Sequence, residues 1–185
     1  FSVPTTARSL RTTAHQIADT IYETLTGEKG AFATRIAYVT SIKKGGQKTI
    51  ALKIADADGY NPETIVESKE PIMSPAWSPD GQKLAYVSFE KRQPAIYIQE
   101  VYTGRRVKIT SFKGINGAPA WSPDGRQLDY VSSPVPGSPA SVLVVLDRDT
   151  GDQRIVTDES GVYAHPAFSP DGHQILFSRQ INPGE

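Results

Sequence analysis

Three copies of one hexapeptide limit what this chain can fold into. They are Ala76-Trp77-Ser78-Pro79-Asp80-Gly81, Ala120-Trp121-Ser122-Pro123-Asp124-Gly125 and Ala167-Phe168-Ser169-Pro170-Asp171-Gly172, and their aromatic residues lie 44 and 47 residues apart. Self-similarity at this period marks a repeat architecture, and a short strand pattern on each side of a turn is the signature of four-stranded propeller blades. The turn has a mechanism. Pro123 presets φ near −65°, Asp124 can bond its own nearby backbone, and Gly125 accepts φ > 0 without steric cost.

The segments between the hexapeptides repeat in phase. After each turn comes a second strand: Lys83-Leu84-Ala85-Tyr86-Val87-Ser88, Gln127-Leu128-Asp129-Tyr130-Val131-Ser132 and Gln174-Ile175-Leu176-Phe177-Ser178. A further copy, Arg35-Ile36-Ala37-Tyr38-Val39-Thr40, lies upstream with no such turn before it. Third strands at 49–54, 95–99 and 141–146 run into turns carrying Gly59, Gly104 and Gly151, and fourth strands follow at 63–66, 106–110 and 153–157. All are rich in β-branched, aromatic and other apolar residues. With the four strands of a blade lettered A to D from the inside, the first blade lacks A and the last has only A and B.

The reading is a mainly β chain: a partial β-propeller of about half a ring, preceded by one amphipathic helix. The expected segments are 1–30 as an N-terminal remnant, 31–70 as blade one without strand A, 71–114 as blade two, 115–160 as blade three and 161–185 as a partial blade four. The incomplete end blades predict a longer parent protein, with strand A of blade one supplied from sequence not present here. The missing initiator Met and signal peptide predict a processed start. The helix is predicted over Thr6–Thr26, where Leu10, Ala14, Ile17, Ile21 and Leu25 define one face, Thr6 or Ser9 caps the start and Gly27 ends it. That stripe must pack against something.

Composition excludes more than it assigns. The chain has 20 Lys plus Arg and 20 Asp plus Glu, so charge offers no argument for nucleic acid or an anionic membrane. Lys43-Lys44 and Arg105-Arg106 sit beside hairpin turns and read as solvated charge. There is no Cys, which excludes disulfide scaffolds and thiol catalysis. No apolar run approaches the roughly 20 residues of a transmembrane helix. No nucleophile elbow is present, and Ser41-Ile42-Lys43-Lys44 has no second signature. Gly45-Gly46-Gln47-Lys48 reads as a hairpin turn rather than a phosphate loop. Asp56-Ala57-Asp58-Gly59 lacks the remaining ligands of a calcium loop and has a counterpart at Asp147-Arg148-Asp149, so it too reads as a repeated turn. His15, His165 and His173 do not cluster with carboxylates. The reading is therefore no enzyme, no metal and no cofactor. Pro134-Val135-Pro136-Gly137-Ser138-Pro139 is a stiff loop between strands B and C. Asp129 stands where its counterparts are Ala37 and Ala85, and a charge there is costly unless paired or facing water.

The D-to-A connections, 68–74, 111–118 and 158–164, gather at the channel mouth of a propeller. They hold Met73, Ile115, Asn116, Tyr163 and, just beyond, His165. Apolar side chains on loops of a rigid scaffold are candidates for a protein contact; the alternative is that Met73 and Ile115 plug the gap between blades.

At these residues a family resemblance emerges. Leu25-Thr26-Gly27, Lys29-Gly30-Ala31-Phe32, Thr34-Arg35-Ile36-Ala37-Tyr38-Val39 and Asp58-Gly59-Tyr60-Asn61 resemble the TolB family of periplasmic proteins. So do Pro71-Ile72-Met73-Ser74-Pro75-Ala76-Trp77-Ser78-Pro79-Asp80-Gly81 and Asn116-Gly117-Ala118-Pro119-Ala120-Trp121. The resemblance implies an α/β N-terminal domain followed by a six-bladed propeller. It also implies a non-enzymatic role in the Tol–Pal envelope system of Gram-negative bacteria, located in the periplasm. The implied partners are the lipoprotein Pal, imported colicins, and TolA, which is reached by an N-terminal peptide not in this sequence. Pal engages the channel-mouth face, which maps onto Met73, Ser74, Ile115, Asn116, Ala118, Ala164 and His165. The Ser-Pro-Asp-Gly repeat is shared with the propellers of prolyl-oligopeptidase-like peptidases, so a gating domain for such a serine peptidase is the alternative. A homodimer that closes a ring through its open blade edges is a further reading.

Overall fold

The structure, a computed structural model, describes residues 6, 9–110, 113–133, 140–158 and 161–180. The strand tail expected at 1–3 and the stiff loop expected at 134–139 lie outside these residues. The chain forms two compact units, residues 1–38 with 53–64 and residues 39–52 with 65–185.

The first unit contains the helix. It runs from Leu10 to Thr26 (α1) rather than from Thr6. Ser9 stands at the cap position but has helical rather than extended backbone, and its hydroxyl lies 2.8 Å from that of Thr6 instead of capping the first turn. Gly27 ends the helix in the left-handed conformation, its N–H bonded to the Glu23 carbonyl. The predicted stripe is there, but no residue of α1 is buried, and Leu25 is 80% exposed. The helix is instead tied by polar contacts. The Asp19 carboxylate accepts from the amides of Phe32 (2.7 Å) and Ala33 (3.0 Å). Arg11 pairs with Asp58 and lies 4.3 Å over the Tyr60 ring.

Three strands, β1 (Arg35–Lys44), β2 (Gln47–Asp56) and β3 (Glu63–Ser68), form a sheet in that order, with Gly45 and Gly46 at the hairpin. In the second unit β4 (Ile72–Trp77), β5 (Lys83–Ser88), β6 (Ala95–Glu100) and β7 (Arg106–Lys108) make a four-stranded antiparallel sheet. β8 (Asn116–Trp121), β9 (Gln127–Ser132), β10 (Val142–Asp147) and β11 (Gln153–Ile155) repeat it. β12 (Val162–Phe168) and β13 (Ile175–Gln180) form a two-stranded sheet. This is the mainly β, partial-propeller architecture that the repeat predicts.

The sheets of the second unit stack in turn, and the central strands β5, β6, β9 and β10 are buried. Ala85, Val87, Ile96 and Ile98 of one sheet pack with Trp121, Leu128, Tyr130, Val142, Val144 and Leu146 of the next. Val131 and Leu143 pack in turn with Tyr163. The alternation explains both faces: Leu128 and Tyr130 point one way, Asp129 and Val131 the other.

The repeated turn is a small polar machine at the end of each inner hairpin. The Ser122 hydroxyl lies 2.6 Å from Asp124 Oδ1 and accepts from the Gln127 amide at 2.8 Å, while the Arg126 amide donates to Asp124 at 3.0 Å. Ser78 with Asp80, and Ser169 with Asp171, make the same bonds. The serine hydroxyl, then the backbone amide, hold all three carboxyls below the usual carboxylate range. Gly125 has φ 71°, and a Cβ there would lie in ordinary contact, 3.6 Å, with Pro79 of the preceding turn. The turns therefore stack from blade to blade.

The aromatic before the turn ties sheets together. Trp121 Nε1 donates to the Ala76 carbonyl of the preceding sheet at 3.1 Å, and Arg148 lies 4.7 Å over its ring. Trp77 Nε1 is equally buried and has no acceptor among the described residues.

Candidate functional site

The innermost strands carry a feature that their repeat announces only in retrospect. Each contains X-Pro-Ala-aromatic: Ser74-Pro75-Ala76-Trp77, Ala118-Pro119-Ala120-Trp121 and His165-Pro166-Ala167-Phe168. The residue before each proline is left-handed, with φ of 51° at Ser74, 47° at Ala118 and 52° at His165. At the same place the pairing register shifts, between Met73 and Ala76, Gly117 and Ala120, and Ala164 and Ala167. The proline has no N–H for the ladder and its ring disfavours a right-handed helical residue before it. A bulge with one strained residue satisfies both, at a cost of about 1–3 kcal/mol per site. β8 packs against both β4 and β12, so three such bulges lie on neighbouring strands.

These bulges contain or adjoin every residue of the expected protein-binding face. The sequence reading puts them on D-to-A connections, whereas Met73, Ser74, Asn116, Ala118, Ala164 and His165 lie within β4, β8 and β12. The inner strand starts earlier than expected because the bulge lets it pass through X-Pro. Met73 is 51% exposed and Ile115 41%, so neither plugs a gap between sheets. Ser74 and His165 are exposed, and Ala118 and Ala164 half-buried. Asn116 is different: it is buried, and its amide reaches the Gly114 carbonyl at 3.4 Å, bracing the loop from within.

Supporting residues that the sequence reading missed are small hydroxyls. Ser133 Oγ accepts from the Ile115 amide at 2.9 Å, and the Ser133 amide donates to the Ile115 carbonyl at 3.1 Å, fixing Ile115 on the rim. Ser141 Oγ bonds both the amide and the carbonyl of Tyr163, at 2.7 and 2.9 Å. Ser178 Oγ donates to the Ala164 carbonyl at 3.0 Å and lies 3.3 Å from His165 Nδ1. Nothing but proximity in the fold marks them out.

The chemistry of this face is that of a contact surface: a thioether, an isoleucine, small side chains, one imidazole and prolines on stiff strands. Among the described residues no group of three or more His, Asp or Glu could hold a metal ion. Asp58, of the suspected calcium turn, is engaged by Arg11 and by the Tyr60 amide (3.0 Å). His15 Nε2 lies 3.5 Å from the same carboxylate. Among the described residues no helix is long and apolar enough to cross a membrane. Asp129 has no exposed surface, neither oxygen has a hydrogen-bond partner among the described residues, and burial pushes its carboxyl up to about 7.

Comparison with known proteins agrees with the partial-propeller fold. The family model described as the TolB beta propeller domain matches residues 22–182. The Tol-Pal system protein TolB of Xanthomonas oryzae pv. oryzae is 60% identical over 112 residues, which is 60% of this chain and 26% of that protein. The crystal structure of TolB from Acinetobacter baumannii superposes with a TM-score of 0.83 at 40% identity, covering 97% of this chain and 44% of the other. A TolB structure from Agrobacterium tumefaciens gives a TM-score of 0.66 at 25% identity, covering 82% and 51%. The chain thus spans about a quarter of the curated relative it matches and under half of the Acinetobacter chain. None of these three is named as a peptidase.

Proposed function

The chain belongs to the TolB beta propeller family, and on that premise we propose that it works by binding proteins in the periplasm, without catalysis or cofactor. The bound partner is the Pal lipoprotein of the Tol–Pal system, with colicins competing for the same face. TolA is the further partner of the system, contacted elsewhere. The surface is the row of bulges on β4, β8 and β12, with Met73, Ser74, Ile115, Ala118, Ala164 and His165 as contacts and Asn116 as the brace beneath them.

One observation carries the reading: the same strained, proline-locked bulge recurs at φ near 50° in three adjacent inner strands. Strain held in place by packing between neighbouring inner strands preorganises a surface, and a preorganised surface loses less entropy on binding. Exposed Met73 and Ile115 supply the apolar anchors of such an interface.

The test is titration calorimetry with purified Pal. Met73→Ala and Ile115→Asp change exposed side chains, and unchanged melting curves confirm that they fold. Each is expected to weaken binding about tenfold, equivalent to about 1.4 kcal/mol. Binding that ignores both substitutions, or no binding by a folded sample, contradicts the assignment.

A further inference from the structure

We infer that the groove between the two four-stranded sheets, β4–β7 and β8–β11, is a second binding site, and that it takes an extended acidic peptide with an apolar anchor. It lies at the opposite edge of the sheet from β4, beside the outermost strand β7, and so is separate from the bulged face. The groove has a volume of about 430 Å³. Its floor is apolar: Ile98 and Leu146 are core residues of the two layers, Ile109 is half-buried, and Val107 is 51% exposed at the rim.

The charge around that floor is one-sided. Lys83, Arg105, Lys108 and Arg148 line the groove against Glu100 and Asp147. Both carboxylates are hydrogen-bonded but stay anionic, so the lining holds four cations against two anions, a net excess of two positive charges. Thr103 Oγ1 donates to Glu100 at 2.6 Å, and the amides of Asp149 and Thr150 donate to Asp147 at 2.9 and 3.0 Å. Arg148 is held by the Gly125 carbonyl and the Trp121 ring. Arg106, next in sequence to Arg105, is bound to Glu90 at 2.9 Å and stacks on Tyr97. Lys83, Arg105 and Lys108 have no ion-pair partner among the described residues. In a chain with zero net charge this is a local excess.

Charged residues on an outer strand also serve to block edge pairing, and that alone explains a basic β7. It does not explain an apolar-floored groove of this size behind the charges. Among the described residues β7 pairs only with β6, so its other edge offers backbone donors and acceptors. A peptide lying along that edge would gain main-chain bonds, place an aliphatic side chain on Ile109 and Leu146, and set carboxylates against the three cations. An extended peptide uses all three features at once.

The experiment is fluorescence anisotropy of the whole chain with a fluorescein-labelled peptide of alternating Glu and Leu, beside the same peptide with Lys for Glu. The acidic peptide is expected to bind, and the basic one to fail. Affinity should fall about tenfold with Arg105→Glu or Lys108→Glu, and stay unchanged with Met73→Ala on the other face. Both charge reversals are at exposed positions, and their melting curves report that the fold is kept. Equal binding of the two peptides, no binding at about 1 mM peptide, or indifference to both reversals overturns the inference. So does association with phosphatidylglycerol vesicles in place of the acidic peptide, which would make the groove a lipid contact.

Discussion

The carboxylate of Asp129 lies where the neighbouring repeats carry Ala37 and Ala85, and it is fully buried with no hydrogen-bond partner among the described residues. The nearest cation in register is Arg154, two strands away across Val145, on an exposed outer strand. Ala120 opposes it on β8, and on the face it shares with Val131 the packing partner is Tyr163. Its carboxyl is raised to about 7 by burial, against 3.8 for the free group. Between those values the folded state holds a proton that the unfolded state has lost, so stability falls as pH rises. The full effect is on the order of 4 kcal/mol, present below pH 4 and lost above about 7. Denaturant titrations of the wild type and Asp129→Ala at pH 5 and pH 8 measure it. Asp129→Ala is expected to be the more stable protein at pH 8 and to lose most of that advantage at pH 5. An identical difference at both values would mean that Asp129 stays ionised in the fold.

At the scale of the element, the turn and the inner strand tell different stories about legibility. Ser-Pro-Asp-Gly was readable because every residue in it acts locally: proline sets φ, aspartate bonds the amide two residues on, glycine takes the left-handed position. The bulge was not, although X-Pro-Ala-aromatic recurs as faithfully. A residue before proline is ordinarily extended, so the segment looks like the end of a loop rather than a strand with a left-handed step. Tertiary packing holds that step: β8, which carries Ala118, packs against both β4 with Ser74 and β12 with His165. The helix start was misplaced for a comparable reason: Ser9 has the right chemistry for a cap but turns its hydroxyl to Thr6. The aromatic tie makes a sharper forecast. Trp121→Phe strands the Ala76 carbonyl, whereas Trp77→Phe removes a buried N–H that has no acceptor among the described residues. Unfolding free energies should therefore fall by about 1–2 kcal/mol more for Trp121→Phe than for Trp77→Phe. Equal losses would mean that the inter-sheet bond contributes nothing.

At the scale of the molecule, the phase of the repeat was enough to anticipate stacked four-stranded sheets, because each blade can bury its two faces only against its neighbours. What the phase leaves undetermined is chemistry. Met73, Ile115, Asn116 and His165 were found from their place beside the repeat's loops, Ser74, Ala118 and Ala164 through a family resemblance, and the structure adds why they are stiff. Ser133, Ser141 and Ser178 could not have been picked out from the sequence, since they matter only through partners 13 to 22 residues away. The groove beside β7 was hidden for the same reason: Arg105 and Lys108 read as solvated charge until Ile98 and Leu146 are placed behind them. The central claim is that the bulged face is where a partner lands. Amide hydrogen exchange of this chain with and without Pal tests it most directly. The account predicts slowed exchange across 72–76, 115–120 and 162–168, with β7 and β11 unaltered. Protection confined to the outer strands, or none with Pal in excess, would contradict it.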